Sequence, residues 1–192
     1  MLHADGSARG HTEGDVLQTD GSARGQRKGD ILQTDGSALR RAAAAILPVV
    51  LAAALGSLAT QPNIPTWYAT LAKPAFTPPN WVFAPVWSLL YLAMAAAVWR
   101  ILSLPQAEPG RRAALTAFYV QLTLNAAWSF AFFAAHSPLI GLVVIVALLA
   151  AILWAVRRFA SLDRLSAFLL VPYAAWVAYA TALNAAIWWL NG

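Results

Sequence analysis

From Ala42 onward the apolar residues run in long blocks broken only by brief polar or charged stretches. Ala42–Ala72, Pro74–Trp99, Ala113–Val156 and Leu165–Gly192 carry no Asp, Glu, Lys or Arg. A helix needs about 20 apolar residues to cross the hydrocarbon of a bilayer. A charge at its centre costs at least ~2.5–3.5 kcal/mol, so each uncharged block is a candidate span. Ala113–Val156 is roughly twice the length of one span. Its break is expected at His136-Ser137-Pro138, where proline removes a backbone donor and disfavours helix at the residue before it. The pattern predicts five helices, at approximately 42–60, 81–102, 113–135, 139–158 and 165–190, and therefore an all-α membrane protein built as a bundle of five transmembrane helices.

The first 40 residues are of another kind. Asp5-Gly6-Ser7-Ala8-Arg9-Gly10 recurs as Asp20-Gly21-Ser22-Ala23-Arg24-Gly25 and begins again at Asp35-Gly36-Ser37-Ala38. Residues 1–40 hold six of the eight acidic residues and too few apolar ones to offset the entropy of ordering. They are expected to be a disordered, repeat-containing extension that precedes a working domain at 41–192. With acids and glycines ahead of the first apolar run, this is also a poor signal peptide.

Composition agrees with the pattern. Of 192 residues, 60% are hydrophobic and 11% charged, against about 25% charged in a soluble domain. Zero cysteines exclude disulfides, thiolate metal sites and thiol catalysis. The net charge of +5 does not point to nucleic acid, because beyond residue 39 the cations sit next to or between the ends of the predicted helices. With five spans, Arg40, Arg41, Arg100, Arg111, Arg112, Arg157, Arg158 and Arg164 fall on one side and Lys73 alone on the other. That bias places the N-terminus in the cytoplasm and the C-terminus outside; it does not choose between inner and outer membranes. Trp99, Trp154, Trp188 and Trp189 read as interfacial belt residues.

Groups that lipid does not explain mark the interior. In the third predicted helix Phe118, Gln121, Asn125, Trp128 and Phe132 form one stripe at spacings of three and four. Amide and indole groups in hydrocarbon need partners, so the stripe faces the bundle interior or a cavity. Ala127, Ala131 and Ala135 form a small-residue ridge opposite, suited either to a dimer contact or to an internal neighbour. Tyr173, Trp176, Ala180, Leu183 and Ile187 share a face of the fifth helix, with Asn184 beside them, and the second helix offers Phe83, Trp87, Tyr91 and Met94. Two readings are open at this point: rings filling gaps between Ala-rich helices, or the walls of a ligand cavity.

The connection Gln61–Pro85 interleaves six prolines with Trp67, Tyr68, Phe76, Trp81 and Phe83. Prolines reduce the entropy lost on ordering, so this segment is expected to lie on the bundle mouth, as an interfacial plug or as a lid over a cavity. Its Trp67–Tyr91 run, Trp67-Tyr68-Ala69-Thr70-Leu71-Ala72-Lys73-Pro74-Ala75-Phe76-Thr77-Pro78-Pro79-Asn80-Trp81 and onward through Trp87, strongly resembles the TspO/MBR family, the tryptophan-rich sensory and translocator proteins that include the peripheral-type benzodiazepine receptor. Gln121–Ser129 with Phe132-Phe133, and Pro172–Trp176 through Ala180–Asn184, match it too. The resemblance covers about residues 43–190 and none of the repeat.

The resemblance implies a five-helix bundle, commonly a homodimer, whose cavity is closed by a Pro- and aromatic-rich lid loop between helices one and two. It implies porphyrin or haem, sterols and synthetic benzodiazepine-site drugs as ligands, with no obligatory cofactor. The family's ligand-binding positions fall on Trp67 and Tyr68 at the lid, Trp87, Asn125 and Trp128, and Trp176, Ala180 and Leu183. In animal members the fifth helix ends in a tyrosine-then-basic sterol pattern; Leu183–Trp189 lacks it, which makes cholesterol a poor first choice.

The expected function is that of a membrane-embedded tetrapyrrole-binding protein acting as sensor, scavenger or passive carrier. The alternatives are a light-dependent porphyrin-degrading enzyme and a sterol or lipid translocator. No carboxylate, thiol or histidine stands at mid-depth, so no catalytic or metal-ligating residue is assigned. Lys73 is read as a solvated interfacial cation before it is read as a partner for a ligand carboxylate, and His136, at a turn, as a poor candidate for iron.

Overall fold

The computed structural model describes the backbone of residues 13–192 and the side chains of residues 36–192. Residues 1–40 and 41–192 are separate compact units, and the bundle described below belongs to the second. Its elements are α1 (Glu13–Thr60), a 3-10 turn (Gln61–Asn63), α2 (Trp67–Thr70), α3 (Asn80–Ser103), α4 (Arg111–Ser129) continued by a π-helical turn (Phe130–Ala134), α5 (Pro138–Ala160) and α6 (Arg164–Asn191). The backbone of α1 is thus helical from Glu13, inside the segment expected to lack order; the repeat itself lies largely outside the residues whose side chains are described. Among the described residues six α-helices stand where the pattern predicts five. The additional one, α2, is a single turn within the proline-rich connection.

The helix ends follow the local chemistry. Ser137 caps α5, its hydroxyl accepting from the Ile140 N–H at 3.3 Å with Pro138 in the first turn. Asp163 caps α6 in the same way through the Ser166 N–H. Gly110 precedes α4 at φ +86°, where a side chain is disfavoured. Arg111 reaches back to the end of α3, donating to the carbonyls of Ile101 and Leu102 at 3.2 Å each.

Among the described residues four segments are long and apolar enough to cross a membrane: Gly36–Asn63, Asn80–Ser103, Pro138–Ala160 and Arg164–Asn191. They fit a multi-pass integral membrane protein. The outward leucines, isoleucines and valines of these helices, such as Leu47, Leu58, Leu92 and Val143, are exposed, as lipid contact requires. α4 is less apolar because Gln121, Asn125 and Ser129 lie on its inward face, all three buried.

Among the described residues, extensive helix interfaces join α5 to α6, α4 to α5 and α3 to α6. Lipid supplies no hydrophobic drive for these contacts, so close packing and interhelical hydrogen bonds hold them. One buried cluster, around Met94, Ile101, Phe118, Ile152, Phe159 and Tyr173, fills the half of the bundle away from the α1–α3 connection. A second, of Tyr68, Phe132, Phe133, Leu183 and Ile187, sits beneath that connection. The π turn is closed by the Ala135 N–H on the Phe130 carbonyl at 2.8 Å, and Phe132 and Phe133 are both buried in it. At Gly141, a Cβ would lie 3.0 Å from Asn184 Oδ1 and from Phe132; glycine there lets α5 approach both α6 and the π turn.

Candidate functional site

A cavity of about 620 Å³ lies between the two clusters, within the usual range for small-molecule sites. Five parts of the chain wall it. α1 contributes Ala53, Gly56, Ser57 and Thr60. The connection contributes Gln61, Ile64 and Tyr68, and α3 contributes Asn80, Trp81, Phe83, Ala84, Trp87, Ser88 and Tyr91. α4 and its π extension add Asn125, Trp128, Ser129, Phe132 and Phe133, and α6 adds Ala180, Leu183, Asn184 and Ile187. No lining side chain is a carboxylate, a histidine, a lysine or an arginine. The site is therefore apolar and aromatic with neutral hydrogen-bonding groups.

Two amides hold the walls together. Asn125 accepts from the Tyr91 hydroxyl at 2.9 Å and donates to the Tyr173 hydroxyl at 2.9 Å, tying α4 to α3 and α6. Asn184 accepts from the Trp128 indole N–H at 3.1 Å and donates to the Pro138 carbonyl at 2.7 Å, tying α6 to α4 and the start of α5. The orientation of the Asn184 amide follows from its partners: an indole N–H only donates and a carbonyl only accepts. Trp87 stacks on Tyr91, centroids 5.4 Å apart, and meets Tyr173 edge-on at 6.2 Å. Trp128 stacks on Phe132 at 5.6 Å. Rings fixed this way present flat faces without losing further side-chain entropy on binding.

The connection is pinned at several points. Asn191 exchanges two hydrogen bonds with the backbone of Ala72, both 2.9 Å. The Tyr179 hydroxyl donates to the Phe76 carbonyl at 2.6 Å. His136, in the left-handed region at φ +50°, places Nε2 2.8 Å from Asn63 Oδ1 and stacks on Trp67 at 4.8 Å. Burial first, and Tyr179 second, hold the Tyr68 phenol above its ordinary pKa. The Lys73 ammonium lies 4.7 Å from the centre of the Tyr68 ring and donates to the Leu71 carbonyl at 3.1 Å; it serves the connection and does not line the cavity.

Of the residues expected to bind, Tyr68, Trp87, Asn125, Trp128, Ala180 and Leu183 line the cavity together. Trp67 and Trp176 do not. Trp67 is held between His136 and the edge of Phe132. Trp176 packs edge-on against Phe83 at 5.8 Å and beside Tyr179 at 5.7 Å, so Phe83 stands on the cavity wall in its place. The α1 wall escaped the sequence reading because alanine, glycine and serine carry no chemical signal. Their spacing, 53, 56, 57 and 60, is nevertheless that of one helical stripe.

Residues 44–190 match the model of the TspO/MBR family. The chain is 40% identical over 148 residues to the tryptophan-rich protein TspO of Archaeoglobus fulgidus, covering 77% of this chain and 95% of that one. To the protein of the same name from Chlorobaculum tepidum it is 39% identical over 136 residues, 71% of this chain and 86% of that one. The human translocator protein is 37% identical over 125 residues, 64% and 73% of the two chains.

Proposed function

The chain belongs to the TspO/MBR family, and from that premise we propose that it is a membrane-embedded tetrapyrrole-binding protein acting as a sensor, scavenger or passive carrier, with porphyrin or haem as ligand. The observation that carries this reading is the cavity of about 620 Å³ walled by Trp87, Tyr91, Trp128, Phe83, Phe132 and Phe133. A porphyrin is a flat apolar macrocycle, and stacked rings with neutral amide and hydroxyl groups between them suit its faces and ring nitrogens. With no charged lining group, its carboxylate arms belong at the mouth. His136 is engaged by Asn63 and Trp67 outside the lining, which favours binding of the macrocycle through its faces over ligation of iron.

In this reading α4 with its π extension is the fifth span, its polar stripe turned inward, and the pinned connection is the lid. The arginines at the ends of α3, α4, α5 and α6 gather on one side, where Arg100 pairs with Asp163 at 2.6 Å. That grouping supports a cytoplasmic N-terminus and an outward C-terminus. A homodimer is proposed with it, the exposed end of the Ala127–Ala131–Ala135 ridge being the surface offered.

The test is titration of the protein in vesicles with protoporphyrin, read by tryptophan quenching. Ala180 is a small residue on the α6 wall. Ala180→Leu adds volume to the cavity, and overpacking costs about 1–3 kcal/mol, so the affinity should fall about tenfold or more while helicity is kept. Saturable binding that Ala180→Leu leaves unchanged would place the ligand elsewhere and refute the assignment.

A further inference from the structure

The cavity has two boundaries with the outside, and they are built differently. Toward the connection it is covered by the Tyr68–Phe132–Phe133 cluster, with Asn191, Tyr179 and His136 fastening the chain above, although Gln61, Asn80 and Trp81 at the rim of that cover are exposed. Toward the side, between α1 and α3, it is not covered. Ser57 of α1 and Ala84 and Ser88 of α3 line the cavity and are also exposed, so the wall they form is open to the surroundings. Ser88 and Tyr91 spend their hydroxyls on the Ala84 carbonyl and on Asn125, and among the described residues no hydrogen bond crosses from Ala53–Thr60 to Trp81–Tyr91. The back of this seam is closed where Gly56 meets α4: a Cβ there would lie 3.2 Å from Ser129 Oγ and 4.0 Å from the Tyr91 hydroxyl. Leu58 on α1, next to Ser57, and Leu92 on α3, one turn on from Ser88, are exposed. Such side chains face acyl chains, not water.

We infer that the α1–α3 seam is a lateral portal, through which a flat apolar molecule dissolved in the bilayer enters and leaves the cavity without opening the α1–α3 connection. The inference rests on the proposed cavity ligand for its probe but not for its geometry. Small side chains on both lips leave a slot suited to a planar molecule. The Ser57 and Ser88 hydroxyls are weak donors at its edge, Ser88 already donating to the Ala84 carbonyl at 2.9 Å, so a guest meets no charge on the way in. A tetrapyrrole partitions into lipid before it meets protein, and this route spares it a return to water.

The chain has no cysteine, so Ser57→Cys, Ser88→Cys and, in the exposed part of α2, Ala69→Cys each give one labelling site for a bulky maleimide. The protein is loaded with protoporphyrin in vesicles, labelled, and its release to empty vesicles is followed by recovery of tryptophan emission. Each variant is compared with its own unlabelled form. Labels at 57 and 88 should slow release about tenfold, and the label at 69 should leave it within about twofold. Release that is unchanged or faster with the seam labelled, or slowed more by the label at 69, overturns the portal. If the unlabelled variants do not bind protoporphyrin, the tetrapyrrole reading fails, and the seam is judged in vesicles of dibrominated phosphatidylcholine. There the emission lost in Trp87→Phe should be quenched by the bromolipid if the slot is open; unquenched emission overturns it.

Discussion

Replacing Asn125 by leucine removes an amide that joins three helices while keeping a side chain of similar size. Two hydroxyls lose their partner, and they are not equivalent. Tyr91 borders the cavity and is half-buried, so its hydroxyl can turn to water there. Tyr173 is 0% exposed, and a buried polar group stripped of its partner costs about 1–3 kcal/mol. Interhelical hydrogen bonds in bilayers are worth about 0.6 kcal/mol on average and about 1.7 at most. The loss in Asn125→Leu should therefore be about 1–2 kcal/mol, most of it at Tyr173. In Asn125→Leu with Tyr173→Phe both partners are apolar, and most of the cost should vanish. The assay is a double-mutant cycle by reversible unfolding in detergent micelles, and the coupling between positions 125 and 173 should be about 1 kcal/mol. Strictly additive single-mutant losses, with coupling below the error of the measurement, would mean that the amide does not clamp α4 to α6 and that the cavity floor is held by ring packing alone.

Two further outcomes concern the frame around the site. Gly141→Val puts side-chain atoms where Asn184 Oδ1 and Phe132 stand 3.0 Å from a Cβ position, so unfolding in micelles should show a loss of about 1–3 kcal/mol from overpacking, with weaker protoporphyrin binding; full stability would show that α5 can shift freely there. At Asp163, Arg100 first and Ser166 second hold the carboxyl well below the usual carboxylate range. A depressed folded-state pKa stabilises the protein above the ordinary value near 3.9, and that contribution shrinks as pH falls below it toward the folded-state value. Asp163→Asn should lower stability at neutral pH and flatten the loss seen on acidification below about pH 4; an unchanged acid limb would show that the pair with Arg100 is screened away.

Some of this architecture was present in the residue order. Uncharged blocks placed four of the five long helices to within a few residues, and the end though not the start of the first, because the cost of a charge in hydrocarbon is a property of each residue and not of its neighbours in the fold. The inward stripe Phe118–Gln121–Asn125–Trp128–Phe132 was equally legible, since a helix puts residues three and four apart on one face wherever it sits. Tertiary structure decided what that face meets. It paired Asn125 with Tyr91 and Tyr173 and Asn184 with Trp128 and Pro138, contacts between helices that no local spacing encodes. It put Phe83 on the wall in front of Trp176, clasped Trp67 against His136, and turned α4 into a π-helix at Phe130. It also made a wall from Ala53, Gly56 and Ser57, residues whose contribution is the space they leave. Periodicity fixes which way a side chain points from its own helix axis. How far the next helix stands off, and so whether rings interlock or leave a hollow, depends on side chains distant in sequence that meet only in the folded bundle.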